Sequence, residues 1–267
     1  MPQIKAQLDH VVLLLPYKDI VNPPSWLTDK FTISEGGVHA DGKTENKLVL
    51  FADGSYLELI AFINDNPKHR AGHWWDKPYG VVDYALTTSD EGFGELAGVK
   101  ERLSKTDTGI GYTDPKDGGR RKPNGQELQW RVTFPTGTAR GTVPFWCHDV
   151  TPRDRRVPVS DSSTTHPSGV IGMAGVVLQV SEEVSLARLT SATAAILGDN
   201  LSSGNRYEVD AVLQVAGAKK PTIRIERTGP GEHKDSALSL ALQSPKWLPS
   251  IHREIDGGTV SLLFEGP

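Results

Sequence analysis

Three stretches of this chain begin in the same way. "LDHVVLLLP" (8–16), "VDYALTTSD" (82–90) and "MAGVVLQVS" (173–181) each read as a buried strand that runs into a helix or a helix-like crossover, with further strands behind it. The echo lies in spacing more than in identity. It predicts a repeated strand–helix–strand–strand–strand unit, and three such units account for nearly all of the 267 residues. The fold class is therefore α+β, built from βαβββ modules with mixed, curled sheets and helices on their outer faces. The expected divisions are 1–66 as the first module, 80–150 as the second, 151–169 as a connecting loop, and 170–267 as a third module packed on a cup made by the first two. Pairing of the first module with the third is the alternative.

Local signals fill in the units. Strands are expected at 8–15, 47–52, 55–62, 81–87, 128–134, 142–150, 171–180, 206–215, 221–227 and 259–264. "VLFADGSYLELI" reads as a hairpin on a two-residue Asp53-Gly54 turn. The clearest helix is 182–197, with Ser181 as its cap, glutamates in its first turn and Gly198 as its stop. A second helix should begin near Ser89-Asp90 and turn Leu96, Val99 and Leu103 inward. A short third one should follow the prolines of "NPPSWLTDKF". "GGRRKPNG" (118–125) reads as an exposed hairpin connection. "TPRDRRVPVSDSSTTHPSG" (151–169) is long enough without regular structure to be a mobile loop or a functional connection.

Composition removes several function classes. A net charge of -4 with scattered Lys and Arg gives no nucleic-acid footprint and no anionic-membrane surface. One cysteine, Cys147, rules out an intrachain disulfide framework and disfavours a thiolate metal cluster. "MPQIKAQLD" lacks a secretory leader pattern and "VVLLLP" is too short to span a bilayer, so a cytoplasmic protein is expected. No nucleophile elbow, dinucleotide fingerprint or phosphate loop occurs.

Two ionisable groups stand inside strands that are otherwise apolar: His10 in "QLDHVVLLLP" and Glu58 in "GSYLELIAF". Alternation puts His10 on a face with Leu8, Val12 and Leu14, and Glu58 on a face with Tyr56 and Ile60. Imidazole and carboxylate converging across one sheet suit a divalent metal, or a general base with its orienting partner. A satisfied core histidine and a solvated glutamate are the bland alternative. His39, in "GGVHADGKTEN", sits at a strand edge beside Thr44 and Asn46, where it can move a proton. In "KHRAGHWWDKPYG", Trp74 or Trp75 can stack on a planar substrate, with His73 a weaker candidate. In "PFWCHDV", Trp146 and His148 face one way and Cys147 the other, which makes Cys147 a small buried hydrophobe. Arg153, Arg155 and Arg156 follow and can meet a substrate carboxylate at the mouth of a cup.

"LDHVVLLLP", "GGVHADGKTENKLVLFADGSYLELIAF" and, more weakly, "HPSGVIGMAGVVLQV" resemble the glyoxalase-like families of the vicinal oxygen chelate superfamily, in patches that span about two thirds of the chain. The resemblance implies paired βαβββ modules around a divalent metal, one ligand from the first strand of a module and one from its last. Mapped here, those positions are His10 and Glu58. The other half of such a set is harder to fill, since the matching positions read as Tyr84 and Gly175, with His148, Cys147 or Glu226 on closing strands. His10, Glu58 and His148 form the expected metal set, for zinc, iron, manganese or nickel. His39, Glu58 and His148 are the expected catalytic groups, and Asn46, Trp74, Trp75, Trp146 and His166 line the substrate. The implied activity is a metal-dependent lyase or isomerase on a small apolar or aromatic metabolite. A metal-free small-molecule binding protein using the same cup is the alternative. Neither nucleic acid nor membrane is an expected partner, and a homodimer is left open.

Overall fold

The computed structural model describes residues 6–89, 94–198, 201–228 and 237–266. The first unit runs β1 (Ala6–Leu14), α1 (Tyr17–Val21), α2 (Ser25–Thr28), β2 (Ser34–His39), β3 (Thr44–Leu50) and β4 (Tyr56–Phe62), followed by α3 (Pro67–Arg70). The second runs β5 (Gly80–Thr88), α4 (Gly94–Ser104), β6 (Gly111–Tyr112), β7 (Lys116–Arg121), β8 (Glu127–Thr133), β9 (Pro135–Thr136) and β10 (Phe145–Asp149). Helices α5 (Arg153–Arg156) and α6 (Asp161–Thr164) occupy the connection, and β6 with β9 forms a separate small ladder.

In both units the last long strand lies parallel to the first: β4 on β1 and β10 on β5. Strands β1 and β5 pair antiparallel, and two further pairs, Val38 with Arg121 and His39 with Arg120, join β2 to β7. The order β1-β4-β3-β2-β7-β8-β10-β5 thereby closes on itself as a ring of eight strands. Its inner face carries Val12, Leu14, Ile60, Phe62, Ala85, Phe145 and Cys147, and its outer face packs Leu13, Val49, Tyr84 and Trp146 under the helices. Alternation dictates the split, since successive side chains on a strand point to opposite faces.

The remaining strands are β11 (Gly172–Val180), β12 (Leu201–Ser203), β13 (Arg206–Glu208), β14 (Thr222–Arg227), β15 (Ala237–Gln243), β16 (Ile251–Ile255) and β17 (Gly258–Glu265), with α7 (Glu183–Leu197) after β11. They repeat the pattern: β14 lies parallel to β11, and β15 pairs antiparallel to β11 as β5 does to β1. β17 lies parallel to β15 and touches the ring through a single pair, Thr259 with Gly80. This second sheet ends at β12 on one side and β16 on the other and does not close among the described residues.

Several local expectations change. The β3–β4 connection is five residues, 51–55, because Asp53 turns inward and its carboxylate accepts from Ser55 N and Met173 N. Helix α7 has Glu182 rather than Ser181 at its N-cap position, where the Glu182 side chain makes no capping bond, and it stops at Gly198 in the left-handed region (φ 73°) as its sequence requires. Leu96, Val99 and Leu103 of α4 are buried, while the expected start of that helix at Asp90 lies outside the described residues. The strand read at 206–215 is only Arg206–Glu208. "KDGGRR" is a strand rather than a loop; it has no apolar alternation because its inward side chain is Arg120, buried to 4% exposure. The 151–169 connection is no loose loop. Val157 packs on Leu48, Leu50 and Tyr56, and Arg156 is buried, so the segment plugs one end of the ring. Among the described residues no helix is long and apolar enough to cross a membrane.

Candidate functional site

A cavity of about 250 Å³ opens inside the eight-stranded ring. Six aromatic side chains (Tyr56, Trp74, Trp75, Trp130, Phe134 and Phe145) make most of its wall, and His10, His39, Glu58 and Cys147 are its inner polar groups, with Asp41, Lys116 and Asp117 also on its wall. All of these belong to one chain.

His10 owes its setting to a β-bulge. The register of β1 against β5 shifts between Leu8 and His10, so Asp9 is an extra residue on β1. In a regular strand neighbours point apart, whereas here Asp9 Oδ2 lies 2.6 Å from His10 Nδ1. Asp9 is fully buried, and burial pushes its carboxyl up; Arg153 and Arg156 beside it outweigh that and hold it well below the usual carboxylate range. An ionised carboxylate only accepts, so Nδ1 carries the imidazole proton and Nε2 turns toward Glu58, 3.8 Å from Oε2. Tyr56 stacks on the ring at 4.6 Å between centroids.

Glu58 is equally buried, yet its carboxyl is drawn down to about 2, because the raising effect of burial is outweighed by His39, then His10 and Asn46. Asn46 Nδ2 donates to Oε1 at 2.5 Å, and His39 Nε2 lies 3.4 Å from the same oxygen. The amide of Asn46 cannot turn round, since its Oδ1 accepts from Gly37 N and from Arg120 Nη1. Thr44 Oγ1 lies 2.8 Å from His39 Nδ1 on the far side of that ring.

Of the sequence-derived candidates, the structure brings together His10, Glu58, His39, Asn46, Trp74 and Trp75. Trp75 is buried with its Nε1 donating to Asp83, and Trp74 is 44% exposed at the wall's edge. His73 stays behind the wall; its Nδ1 accepts from Trp75 N, and Asp41 is 3.7 Å from Nε2. His148 and Trp146 do not join the cluster. They stack on one another on the outer face of β10, and the cavity lies on the side of Cys147. His166 is also elsewhere: Nδ1 accepts from Thr32 N and Nε2 donates to Leu50 O, which ties the connection to the first module. Burial lowers the tendency of His166 to take a proton. Arg153 and Arg156, expected at a mouth, are turned inward at the plugged end.

The second-module counterpart of His10 is Asp83 rather than the expected Tyr84. His10 pairs with Ala85 and Val12 with Asp83. The pairing is reciprocal, so Asp83 stands where His10 stands, Ala85 where Val12 does, and Phe145, opposite Ala85, where Glu58 does. Tyr84 faces outward. Asp83 is fully buried, ion-paired to Arg140, and accepts from Trp75 Nε1 at 3.1 Å. The signal was present in "VVDYAL" against "LDHVVL", but the bulge is invisible in sequence. In the second sheet the same positions are Gly175, Arg224, Ser239 and Leu263, which do not make a metal-ligand set.

Asp9, His10 and Cys147 each offer a ligand atom, all within 4.8 Å of one another, so the cup contains a candidate metal-binding group. Residues 8–194 match the family described as the glyoxalase-like domain, more than half of the chain. The chain belongs to this glyoxalase-like family of the vicinal oxygen chelate superfamily. Among solved structures it is similar to a hypothetical protein from Staphylococcus aureus, at 16% identity and TM-score 0.67, over 98% of this chain and 100% of that one. It is more remotely similar to a catechol 2,3-dioxygenase, at 8% identity and TM-score 0.46 over 99% and 89% of the two chains. A 2,2',3-trihydroxybiphenyl 1,2-dioxygenase from Sphingomonas wittichii strain RW1 is similar at 10% identity and TM-score 0.46, over 98% and 91%. Likeness that remote carries nothing over to this glyoxalase-like chain. No protein of curated function matches it.

Proposed function

We propose that this chain is a divalent-metal-dependent lyase or isomerase that acts, in the cytoplasm, on a small apolar or aromatic metabolite held in the cup of the ring. The observation that carries the reading is the pair His10–Glu58, in which each side chain already has an outer partner: Asp9 on His10 Nδ1 and Asn46 on Glu58 Oε1. Metal-ligating imidazoles and carboxylates are usually fixed in this manner, which sets the tautomer and the basicity of the ligand. On this reading residues 1–66 and 80–150 are the modules of the cup, 151–169 connects them to the rest, and 170–267 packs on them.

The donors present fit such an ion. His10, Glu58 and Cys147 all line the cavity, with His10 Nε2 3.8 Å from Glu58 Oε2. Imidazole, carboxylate and sulfur suit zinc, iron or nickel, with manganese less favoured by sulfur, and the Cys147 thiol, pushed up by burial, would give up its proton only to such an ion. Asp9 takes the outer role, because both of its oxygens are engaged by arginines. Bound there, a divalent ion supplies Lewis-acid polarisation of neighbouring substrate oxygens. His39 moves the proton: its Nε2 reaches Glu58, and its ring lies on the cavity wall, 6.2 Å from Trp130. The aromatic wall excludes water and takes a flat apolar body.

A second reading, a metal-free binding protein, is favoured by one observation. Asp83 is already neutralised by Arg140 and Phe145 stands in the place of Glu58, so the two second-module positions that match His10 and Glu58 add no ligand comparable to them. Elemental analysis of the untagged chain, as purified and after reconstitution with zinc, iron, manganese or nickel, separates the two. Near-stoichiometric metal in the parent and little in a His10→Ala/Glu58→Gln double variant is expected. A parent that takes up no metal while binding planar aromatic compounds defeats the first reading and leaves the second.

A further inference from the structure

The inter-module connection reaches into the site through one side chain. Arg156 lies at the end of α5, with only 2% of its side chain exposed. Its guanidinium spends every N–H direction. Nη1 donates to Asp9 Oδ2 at 3.1 Å and to Tyr56 Oη at 2.7 Å. Nη2 donates to Asp9 Oδ1 at 3.1 Å and to Asp149 Oδ2 at 2.8 Å, and Nε to Asp149 Oδ1 at 2.5 Å. Asp9 and Tyr56 are the two groups that orient His10, one through Nδ1 and the other by stacking on its face. A buried arginine that forks between them fixes the imidazole in both its rotation and its tautomer. The backbone carbonyl of Arg156 also accepts from Arg120 Nη2, and Arg120 holds the Asn46 amide that donates to Glu58.

We infer that Arg156 is the positioning residue of this site: the connection between the ring and the second sheet, rather than the ring itself, holds His10 with Nδ1 protonated and Nε2 presented to the cavity. Arg156 does not line the cavity and acts through Asp9 and Tyr56; Arg153, 2.5 Å from Asp9 Oδ1, shares the carboxylate, but Arg156 is the one that joins it to the phenol. Lysine cannot replace it, since an ammonium is a point charge that cannot serve both carboxylates and the phenol in one plane. The inference rests on the proposed role of His10 only in what that tautomer is for.

The test is ¹⁵N NMR of the histidine-labelled full chain, freed of metal with chelator at neutral pH, with His10 assigned from a His10→Gln variant. The parent should show His10 as the Nδ1–H tautomer, with that proton shifted downfield by the carboxylate. A parent with His10 as Nε2–H overturns the inference without any variant. In Arg156→Lys the His10 ring should pass to a mixture of tautomers, and affinity for Co²⁺ should fall about ten- to a hundredfold. Ser168→Ala, which cuts a tie between the same connection and the first module (Ser168 Oγ to Lys30 O) and leaves the five Arg156 bonds in place, should keep the parent's tautomer and stay within about threefold of its Co²⁺ affinity. A folded Arg156→Lys with parental shifts, or a Ser168→Ala that changes as much, refutes the positioning role. If Arg156→Lys does not fold, Tyr56→Phe carries the test, since it cuts one tie and keeps the stacked ring; a smaller change in the same direction is expected, and none overturns the inference. If the parent binds no Co²⁺, the metal reading fails, while the tautomer comparison still decides the role of Arg156.

Discussion

Glu58 makes a quantitative prediction about the metal-free protein. It is a fully buried carboxylate, and its partners draw it from an ordinary 4.5 down to about 2. Burial alone would raise it; the hydrogen bond and charge of His39 contribute most of the opposing effect, then His10 and Asn46. A carboxyl that is more acidic in the folded chain than in the unfolded one adds stability above its unfolded value, and that stability is lost as pH falls toward the folded one. At about 1.36 kcal/mol per pH unit, the gap amounts to about 3 kcal/mol at pH 7 and about 1.5 kcal/mol at pH 3. Glu58→Gln keeps the shape and an oxygen for Asn46 but cannot ionise. Urea unfolding of both proteins with chelator present should therefore show the variant less stable at pH 7, by an amount that halves by pH 3 and vanishes below pH 2. A difference that does not change between pH 7 and pH 3 would mean that Glu58 titrates alike in the folded and unfolded chain, and one that falls toward pH 7 that it is protonated in the fold. The charge-based account of the site would then be wrong.

Two other sites test the architecture around the cup. Arg140→Ala leaves Asp83 buried without its ion-pair partner and should cost about 3–5 kcal/mol in chemical unfolding. Because Asp83 also holds the indole of Trp75, tryptophan emission should shift to the red; an unshifted spectrum with unchanged stability contradicts the arrangement. Gly175 has φ +141°, and a Cβ there would lie 1.8 Å from the Thr222 carbonyl oxygen. Gly175→Ala should therefore destabilise well beyond about 1 kcal/mol, whereas Gly42→Ala, at φ +66° in open space, should cost about 1 kcal/mol. Equal losses in thermal melts would argue against the close approach of β11 to β14.

The sequence by itself determined the module. Apolar runs of strand length, a glycine stop after 182–197 and the threefold echo are local features, and local features follow from period and turn chemistry. It also marked His10 and Glu58, because an ionisable side chain amid an apolar run is conspicuous wherever the chain folds. Cys147 was assigned to the face opposite His148 by alternation, but alternation says nothing of which face meets the cavity; ring closure through β1–β5 and β2–β7 decided that. The same limit misplaced the second-module counterpart of His10, since a bulge shifts register by one residue and one residue moves a side chain to the other face. Strand β7 was hidden because its inward residue is an arginine, and an arginine is stable there only against Asn46 and the Arg156 carbonyl, residues 74 and 36 positions away. Arg156 itself reads in sequence as a group at the mouth of the cup, not as a buried one. Burying a guanidinium costs several kcal/mol unless its donors are met. Asp9 and Asp149, which meet them with Tyr56, come from two different modules. Only the tertiary structure brings them to one point.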